Sequence, residues 1–365
     1  MIVHVGPSVL SLPARLGGAV ERRMMELAEA QARRGERVIV YSSGPETAWG
    51  EYRGVRIRYL SGGPVEFPLR FVHDAACRPA HVIHVHNRAE IAWLAKRAGL
   101  SPTLLSCDYH YEPFRRFRHL RAMSQAAWRR CLLACDRIAP VSDYCLAVHR
   151  EYWHLPAAKL APIPNGVDCA RFQPDARLRA AWRARLGLDE RPVILYVGRL
   201  CEQKGTDLLV AAWRMLARPA ALVVAGPCEH FGKTGFTALV RQVREAGGIY
   251  LPPVDDAALP GLYNACDVFA MPTRELEMFG MAAIEAQACG KPVAASDHGG
   301  LRETVPASAG MRFPAGDAAA LAVCLDTLLG CPELMRALGA GARKNALRYA
   351  WPCIAARCQE VYATL

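Results

Sequence analysis

Short apolar runs alternate with amphipathic stretches along nearly the whole chain. Ile2 to Val5 is the first run, and a loop ending in Gly17 and Gly18 separates it from Ala19 to Arg33. That second stretch, AVERRMMELAEAQAR, has helical periodicity and stops at Gly35. RVIVYSS and VRIRYLSG are the next strand-like segments, followed by HVIHVHN (His81 to Asn87) and SPTLLSC. DRIAPVS runs into the helix DYCLAVHREYW, with Ser142 or Asp143 placed to cap it. The turn-rich stretch PIPNGVDCARFQP, Pro162 to Pro174, then interrupts the pattern. Beyond it come a helix (ARLRAAWRARLGL), a strand (RPVILYVGRL), a helix after Gly205 and a strand ending at Gly226. DVFAMPT has the look of a buried parallel strand. A polar turn from Arg274 to Gly280 leads from it into the helix MAAIEAQAC, closed by Gly290 and Pro292, and then into PVAAS. From Ala318 helices dominate, the last around WPCIAARCQEVYATL. Buried strands separated by helices predict an α/β chain of two Rossmann-like, doubly wound halves meeting near residue 170.

Composition agrees with that architecture. A length of 365 residues suggests about two domains, and 52% hydrophobic with 22% charged residues is ordinary for a soluble globular protein. No apolar run approaches a membrane span of roughly 18 residues. The start, MIVHVGPSVLSLP, reads as a first strand and not a signal peptide. The 14 cysteines are scattered, with no C-x-x-C pair, so neither a zinc site nor a disulfide framework is indicated. A reduced, cytoplasmic compartment is the expectation. The formal charge of +11 admits nucleic acid, an anionic membrane surface or phosphate-bearing substrates as partners. Nucleic acid is set aside, because no zinc finger, helix-turn-helix or aromatic-basic strand motif is present.

The chemistry gathers between Met271 and Val305. Glu277 and Glu285 stand eight positions apart, one before a helix and one within its second turn. In a doubly wound sheet, ligands sit beyond the carboxyl ends of the strands. A helix N-terminus there offers free N–H groups and a positive dipole end. Carboxylates beside it accept hydrogen bonds from vicinal sugar hydroxyls. Earlier in the same half, a loop after Gly198 presents Arg199, suited to bidentate phosphate contacts, and Lys204, a point charge. No two aspartates lie two residues apart, so an Asp-x-Asp metal motif is missing and metal-free diphosphate binding is the consistent alternative.

The first half is less explicit. Gly17 and Gly18 let backbone approach a phosphate closely. His84 and His86 share one face of their strand while His81 points to the other; a metal needs a third ligand on the shared face, and none is close in sequence. After the next strand come Asp108, His110 and Glu112. The segment FRRFRHLRAMSQAAWRRCLLAC carries six arginines with interleaved aromatics, and no acidic residue lies between Glu112 and Asp136. Residues 114–130 suit either an anionic lipid surface or a solvated helix whose arginine stems cover apolar surface.

The two glutamates with Gly280, the run through EAQACGKPVAAS and GGLRETV, and the Gly198-Arg199-Leu200-x3-Lys204-Gly205 pattern together resemble retaining glycosyltransferases of family 4. The similarity spans nearly the whole chain and is strongest from Val193 to Val305. It implies the GT-B fold, two Rossmann-like domains facing a central cleft. The expected domains are 1–168 with 346–365 on the acceptor side, and 169–345 on the donor side. It also implies transfer of a sugar from a nucleotide diphosphate donor, UDP-sugar favoured, with retention and without a metal. Glu285 would then bind ribose hydroxyls and Glu277 sugar hydroxyls. Backbone N–H groups from Phe279 through Gly280, Met281 and Ala282 would hold donor oxygens. Arg199 and Lys204 would stabilise the departing diphosphate, with Gly198, Gly226 and Gly18 lining the site. His110 is the first choice on the acceptor side, with Asp108 and His86 as alternatives. The acceptor is expected to be a glycan or lipid-linked molecule of a bacterial envelope, such as a lipopolysaccharide or exopolysaccharide precursor. A soluble small-molecule acceptor and a non-catalytic binding module are the alternatives.

Overall fold

The computed structural model describes residues 1–7, 11–12, 19–63, 65–100, 102–107, 118–227, 237–275 and 277–365. The chain divides into two compact units, Met1–Gly166 with Trp351–Leu365, and Val167–Ala350.

The first unit begins β1 (Ile2–Val5), α1 (Ala19–Arg33), β2 (Val38–Ser43), β3 (Ala48–Tyr52), β4 (Val55–Leu60) and α2 (Phe67–Ala76). It continues β5 (Val82–His86), α3 (Ala89–Arg97), β6 (Thr103–Cys107), α4 (Arg118–Ala134), β7 (Arg137–Pro140) and α5 (Asp143–Glu151). The sheet order is β3-β4-β2-β1-β5-β6-β7. Its strands are parallel except at the β3–β4 edge. Strand β3 gives no signal in the sequence pattern. AWGEY is half exposed and contains glycine, and Arg53-Gly54, both with positive φ, close the hairpin without an Asn-Gly signature. His81, expected within a strand, precedes β5 and is exposed. Ser142 is the cap of α5, accepting from the Cys145 amide at 3.0 Å.

The second unit runs α6 (Ala176–Arg185), β8 (Val193–Val197), α7 (Thr206–Arg214), β9 (Ala221–Ala225), α8 (Thr237–Glu245), β10 (Ile249–Leu251) and α9 (Leu259–Ala265). Then follow β11 (Val268–Met271), α10 (Met281–Ala288), β12 (Val293–Ser296), α11 (Leu301–Thr304), β13 (Gly310–Phe313), α12 (Ala318–Gly330) and α13 (Pro332–Leu347). Its sheet is wholly parallel in the order β10-β9-β8-β11-β12-β13. That is the doubly wound order, reversing between β8 and β11. The inner strands β9, β8, β11 and β12 are buried on both faces, as helices covering both sides demand. The last helix, α14 (Trp351–Tyr362), belongs to the first unit and packs on α1. No single helix among the described residues is long and apolar enough to cross a membrane.

Polar groups fill the centre of the first unit, where its own strand order reverses. His4 on β1 lies in register with His84 on β5, so the third histidine that local sequence lacks comes from the neighbouring strand. His84 and His86 stack at 4.3 Å. The tautomers of His86 and His4 follow from Arg23, which only donates. Its Nη2 lies 2.8 Å from His86 Nδ1, which must accept. His86 Nε2–H then donates to His4 Nδ1 (2.9 Å), and His4 Nε2–H to Gln31 Oε1 (2.7 Å). Gln31 Nε2 donates to the Tyr362 hydroxyl (3.1 Å), which is hydrogen-bonded to His84 Nδ1 (2.7 Å). The pair of His84 Nε2 with Ser106 Oγ, at 2.7 Å, completes the chain. The three rings bring ligand-type nitrogens within 4.8 Å of one another. All six ring nitrogens nevertheless have hydrogen-bond partners, and one faces a guanidinium. A metal there would have to displace bonds that already satisfy the core.

Burial keeps all three histidines neutral. It pushes His4 down to about 4, against the Gln31 hydrogen bond and with the Arg23 charge. It lowers His84 and His86 well below 6.5, helped by neighbouring histidines and Arg23. The unfolded chain therefore binds more protons than the native one below pH 6.5, and stability falls as pH falls. Stability is expected to be level above pH 6.5 and to drop between 6.5 and about 4, by up to about 1.4 kcal/mol per pH unit for each histidine. Urea unfolding across that range checks it. A flat profile would show that the relay is not neutral and buried as described.

Candidate functional site

Two loops meet where the second sheet reverses its order, one following β8 and one following β11. Gly205 closes the β8 loop in the left-handed region (φ 65°), and a Cβ there would lie 1.9 Å from the Pro272 carbonyl oxygen. Only glycine permits that approach. The Arg274 amide donates to the Gln203 carbonyl at 2.9 Å, and the Thr273 hydroxyl lies between that carbonyl (3.0 Å) and the Glu275 carbonyl (2.8 Å). Arg274 also grips Asp207 on α7 with both terminal nitrogens, at 2.6 and 2.5 Å. Burial alone would raise the Asp207 carboxyl; the hydrogen bonds and charge of Arg274 outweigh it and hold the group below the usual carboxylate range.

Lys204 and Glu277 join across this crossing, Nζ to Oε2 at 2.5 Å. Their side chains are 19% and 12% exposed. The Glu277 backbone is fixed from a third loop, after β12. The Gly300 amide donates to the Glu277 carbonyl at 2.7 Å. A Cβ on Gly299 would come within 2.3 Å of that oxygen.

Helix α10 starts beside this point. Gly280 precedes it in the left-handed conformation, and its carbonyl accepts from Ala283 and Ile284. Among the described residues, the Met281 and Ala282 amides take no backbone acceptor. These are the free first-turn donors of a helix N-terminus. Phe279 is buried edge-on against Tyr349, 5.5 Å between centroids, and its carbonyl accepts from Thr304 Oγ1 at 2.8 Å. Phe279 thus offers backbone only. Glu285 is 3% exposed, and its Oε2 accepts from the buried Tyr263 hydroxyl at 2.8 Å. A solvated helix position is excluded for it. Asn345 Nδ2 braces the next turn through Gln287 Oε1 and the Thr304 carbonyl.

Arg199 stands in the β8 loop. Its carbonyl accepts from the Tyr196 hydroxyl at 2.7 Å, and its guanidinium makes no ion pair among the described residues. Gly198 and Gly226 end β8 and β9, and a Cβ on Gly226 would lie 2.0 Å from the Gly198 oxygen. The structure therefore gathers Gly198, Arg199, Lys204, Gly226, Glu277, Phe279, Gly280, Met281, Ala282 and Glu285 at the carboxyl edge of one sheet. His110, Asp108 and Gly18 lie outside the described residues. His86, an acceptor-side alternative, is fully buried with both ring nitrogens engaged. Sequence reading missed Tyr263 and the Arg274–Asp207 clamp. A tyrosine inside the apolar LPGLYNA was the available signal, because a buried phenol needs a partner.

Cations, free helix amides and carboxylates at a switch point suit a ligand with both phosphate and hydroxyl groups. Residues 179–345 match the family described as Glycosyl transferases group 1, and residues 16–171 match Glycosyltransferase Family 4. The D-inositol 3-phosphate glycosyltransferase of Kineococcus radiotolerans is 31% identical, over 99% of this chain and 93% of its own. This chain is a member of that glycosyltransferase family. A GDP-mannose-dependent alpha-(1-6)-phosphatidylinositol monomannoside mannosyltransferase of Mycolicibacterium smegmatis is similar at 31% identity, over 73% of this chain and 72% of its own. The solved structure of Anabaena HepE in complex with UDP superposes with a TM-score of 0.81 at 19% identity, covering both chains fully. The fold is GT-B.

The loop crossing is testable by stability. Gly187 has a similar φ (62°) with open space around it, whereas Gly205 faces the Pro272 carbonyl. Gly187→Ala is expected to cost about 1 kcal/mol of backbone strain, and Gly205→Ala at least about 1 kcal/mol more. Equal losses in denaturant unfolding would mean that the two loops do not press together.

Proposed function

We propose that this glycosyltransferase takes its sugar from a nucleotide diphosphate donor held at the carboxyl edge of the second sheet. The observation that carries the reading is the convergence of Lys204, Glu277 and the first turn of α10 on the β8–β11 reversal. Lys204 and Arg199 hold the diphosphate and stabilise its charge as the sugar–phosphate bond breaks. The Met281 and Ala282 amides bind phosphate or sugar oxygens. Glu277 accepts from sugar hydroxyls. Glu285, oriented by Tyr263, accepts from the ribose. Two fixed cations and a helix N-terminus supply the positive charge, so the donor needs no divalent ion. The resemblance of the glutamate pair to family 4 adds retention of anomeric configuration. UDP is the favoured nucleotide, a choice that the HepE complex supports.

The acceptor in this reading is a polyol of the inositol type bearing a phosphate, free or as a lipid head group. Both relatives carry inositol in their names, one as D-inositol 3-phosphate and one within a phosphatidylinositol glycolipid. The net charge of +11 favours an anionic acceptor. A lipopolysaccharide acceptor has the weaker support of WaaG, a glycosyltransferase involved in lipopolysaccharide biosynthesis, similar in fold at 17% identity.

UDP at a hundredfold excess over its Kd is expected to stabilise the protein by about 2.7 kcal/mol. Chelator should leave the shift unchanged, and Glu285→Ala should abolish it. No shift with UDP, GDP or ADP would sink the donor site. For the acceptor, transfer from UDP-glucose or GDP-mannose is expected with inositol 3-phosphate or phosphatidylinositol vesicles and not with unphosphorylated inositol. Equal turnover with unphosphorylated inositol would contradict the acceptor assignment.

A further inference from the structure

The two groups that the proposed donor draws on are paired with each other. Lys204 Nζ meets Glu277 Oε2 at 2.5 Å, both side chains mostly withdrawn from water. Neither backbone is free to swing away. Gly205 is pressed on Pro272, and the Glu277 carbonyl is held by the Gly300 amide. The neighbouring cation cannot substitute, because Arg274 is committed to Asp207 through both terminal nitrogens. A ligand that draws on Lys204 must therefore answer for Glu277 as well.

We infer that Glu277 is an internal competitor for the diphosphate and that it sets the preference for a nucleotide sugar over the free nucleoside diphosphate. This rests on the donor site proposed above. A complete donor replaces both halves of the pair, phosphate oxygens taking Lys204 and sugar hydroxyls taking Glu277. A nucleoside diphosphate takes Lys204 alone. It leaves a mostly buried carboxylate without its partner and beside added negative charge, an arrangement that proteins avoid. The same feature favours departure of the nucleoside diphosphate left after transfer, since its binding is opposed once the sugar has gone. Arg199, with no ion pair among the described residues, serves both ligands alike and has no part in the discrimination.

Isothermal titration of the full chain with UDP and UDP-glucose, and with GDP and GDP-mannose, tests this. Glu277→Gln keeps the shape and removes the charge. It is expected to bind the free diphosphate about tenfold tighter than wild type and the sugar nucleotide no tighter, collapsing the preference. In Lys204→Met/Glu277→Gln the gain should vanish, showing that it passes through Lys204. Arg199→Ala should weaken diphosphate and sugar nucleotide by the same factor. Glu277→Asp, which withdraws the charge by one methylene, gives a smaller shift in the same direction and serves if the glutamine variant folds poorly. A diphosphate affinity unchanged or weakened in Glu277→Gln, with wild-type binding intact, overturns the inference and leaves the donor site standing. No binding of any of the four nucleotides to wild type overturns the donor site and the inference with it.

Discussion

In a parallel sheet whose order reverses, the loops after the two strands at the reversal carry the chain to opposite faces and open a crevice between them. In this protein the Lys204–Glu277 ion pair spans that crevice. The surrounding structure serves to hold its two sides in place. The Pro272 carbonyl occupies the space of a missing Cβ on Gly205. The Gln203 carbonyl accepts from the Arg274 amide of the opposite loop. Arg274 ties that loop to α7 through Asp207. The carboxylate and the ammonium are thereby held in fixed positions, which is the condition for electrostatic preorganisation.

The first unit has the same kind of reversal, between β1 and β5, and fills the level of the strands differently. Three neutral histidines, a glutamine, a tyrosine and a serine form one hydrogen-bonded chain, anchored at His86 by the buried Arg23. Tyr362 makes the C-terminal helix a member of that chain. The helix is thereby fixed by polar bonds as well as by the packing of Trp351, Ile354 and Val361. A fully satisfied network of this kind specifies one arrangement of its elements, since any slip strands a buried donor.

Strong periodicity made most of the architecture legible before the structure. Ala19–Arg33 is a helix with the bounds its pattern predicts, and DVFAMPT, PVAAS and AALVVAGP are buried parallel strands. The exposed edge strand β3 escaped, because half of its residues face water and its turn lacks the usual residues. The positions of Glu277, Glu285 and Lys204 could be read because a loop and a helix start place them locally. Their partners could not. Tyr263 lies 22 residues from Glu285, and His4 lies 82 from His86. Such contacts depend on strand order, which a linear pattern does not carry. Of the acceptor-side candidates, His110 and Asp108 fall in the segment after β6, outside the described residues, and His86 is taken up by the buried relay.

The most direct test of the donor site is hydrogen–deuterium exchange with and without saturating nucleotide sugar. Protection is expected over residues 198–206 and 277–285 in the second unit, with the Met281 and Ala282 amides slowed most. The buried relay of the first unit should exchange slowly in both states. Protection elsewhere, with 198–206 and 277–285 unchanged, would contradict the assignment of the β8–β11 crossing as the place where the donor binds.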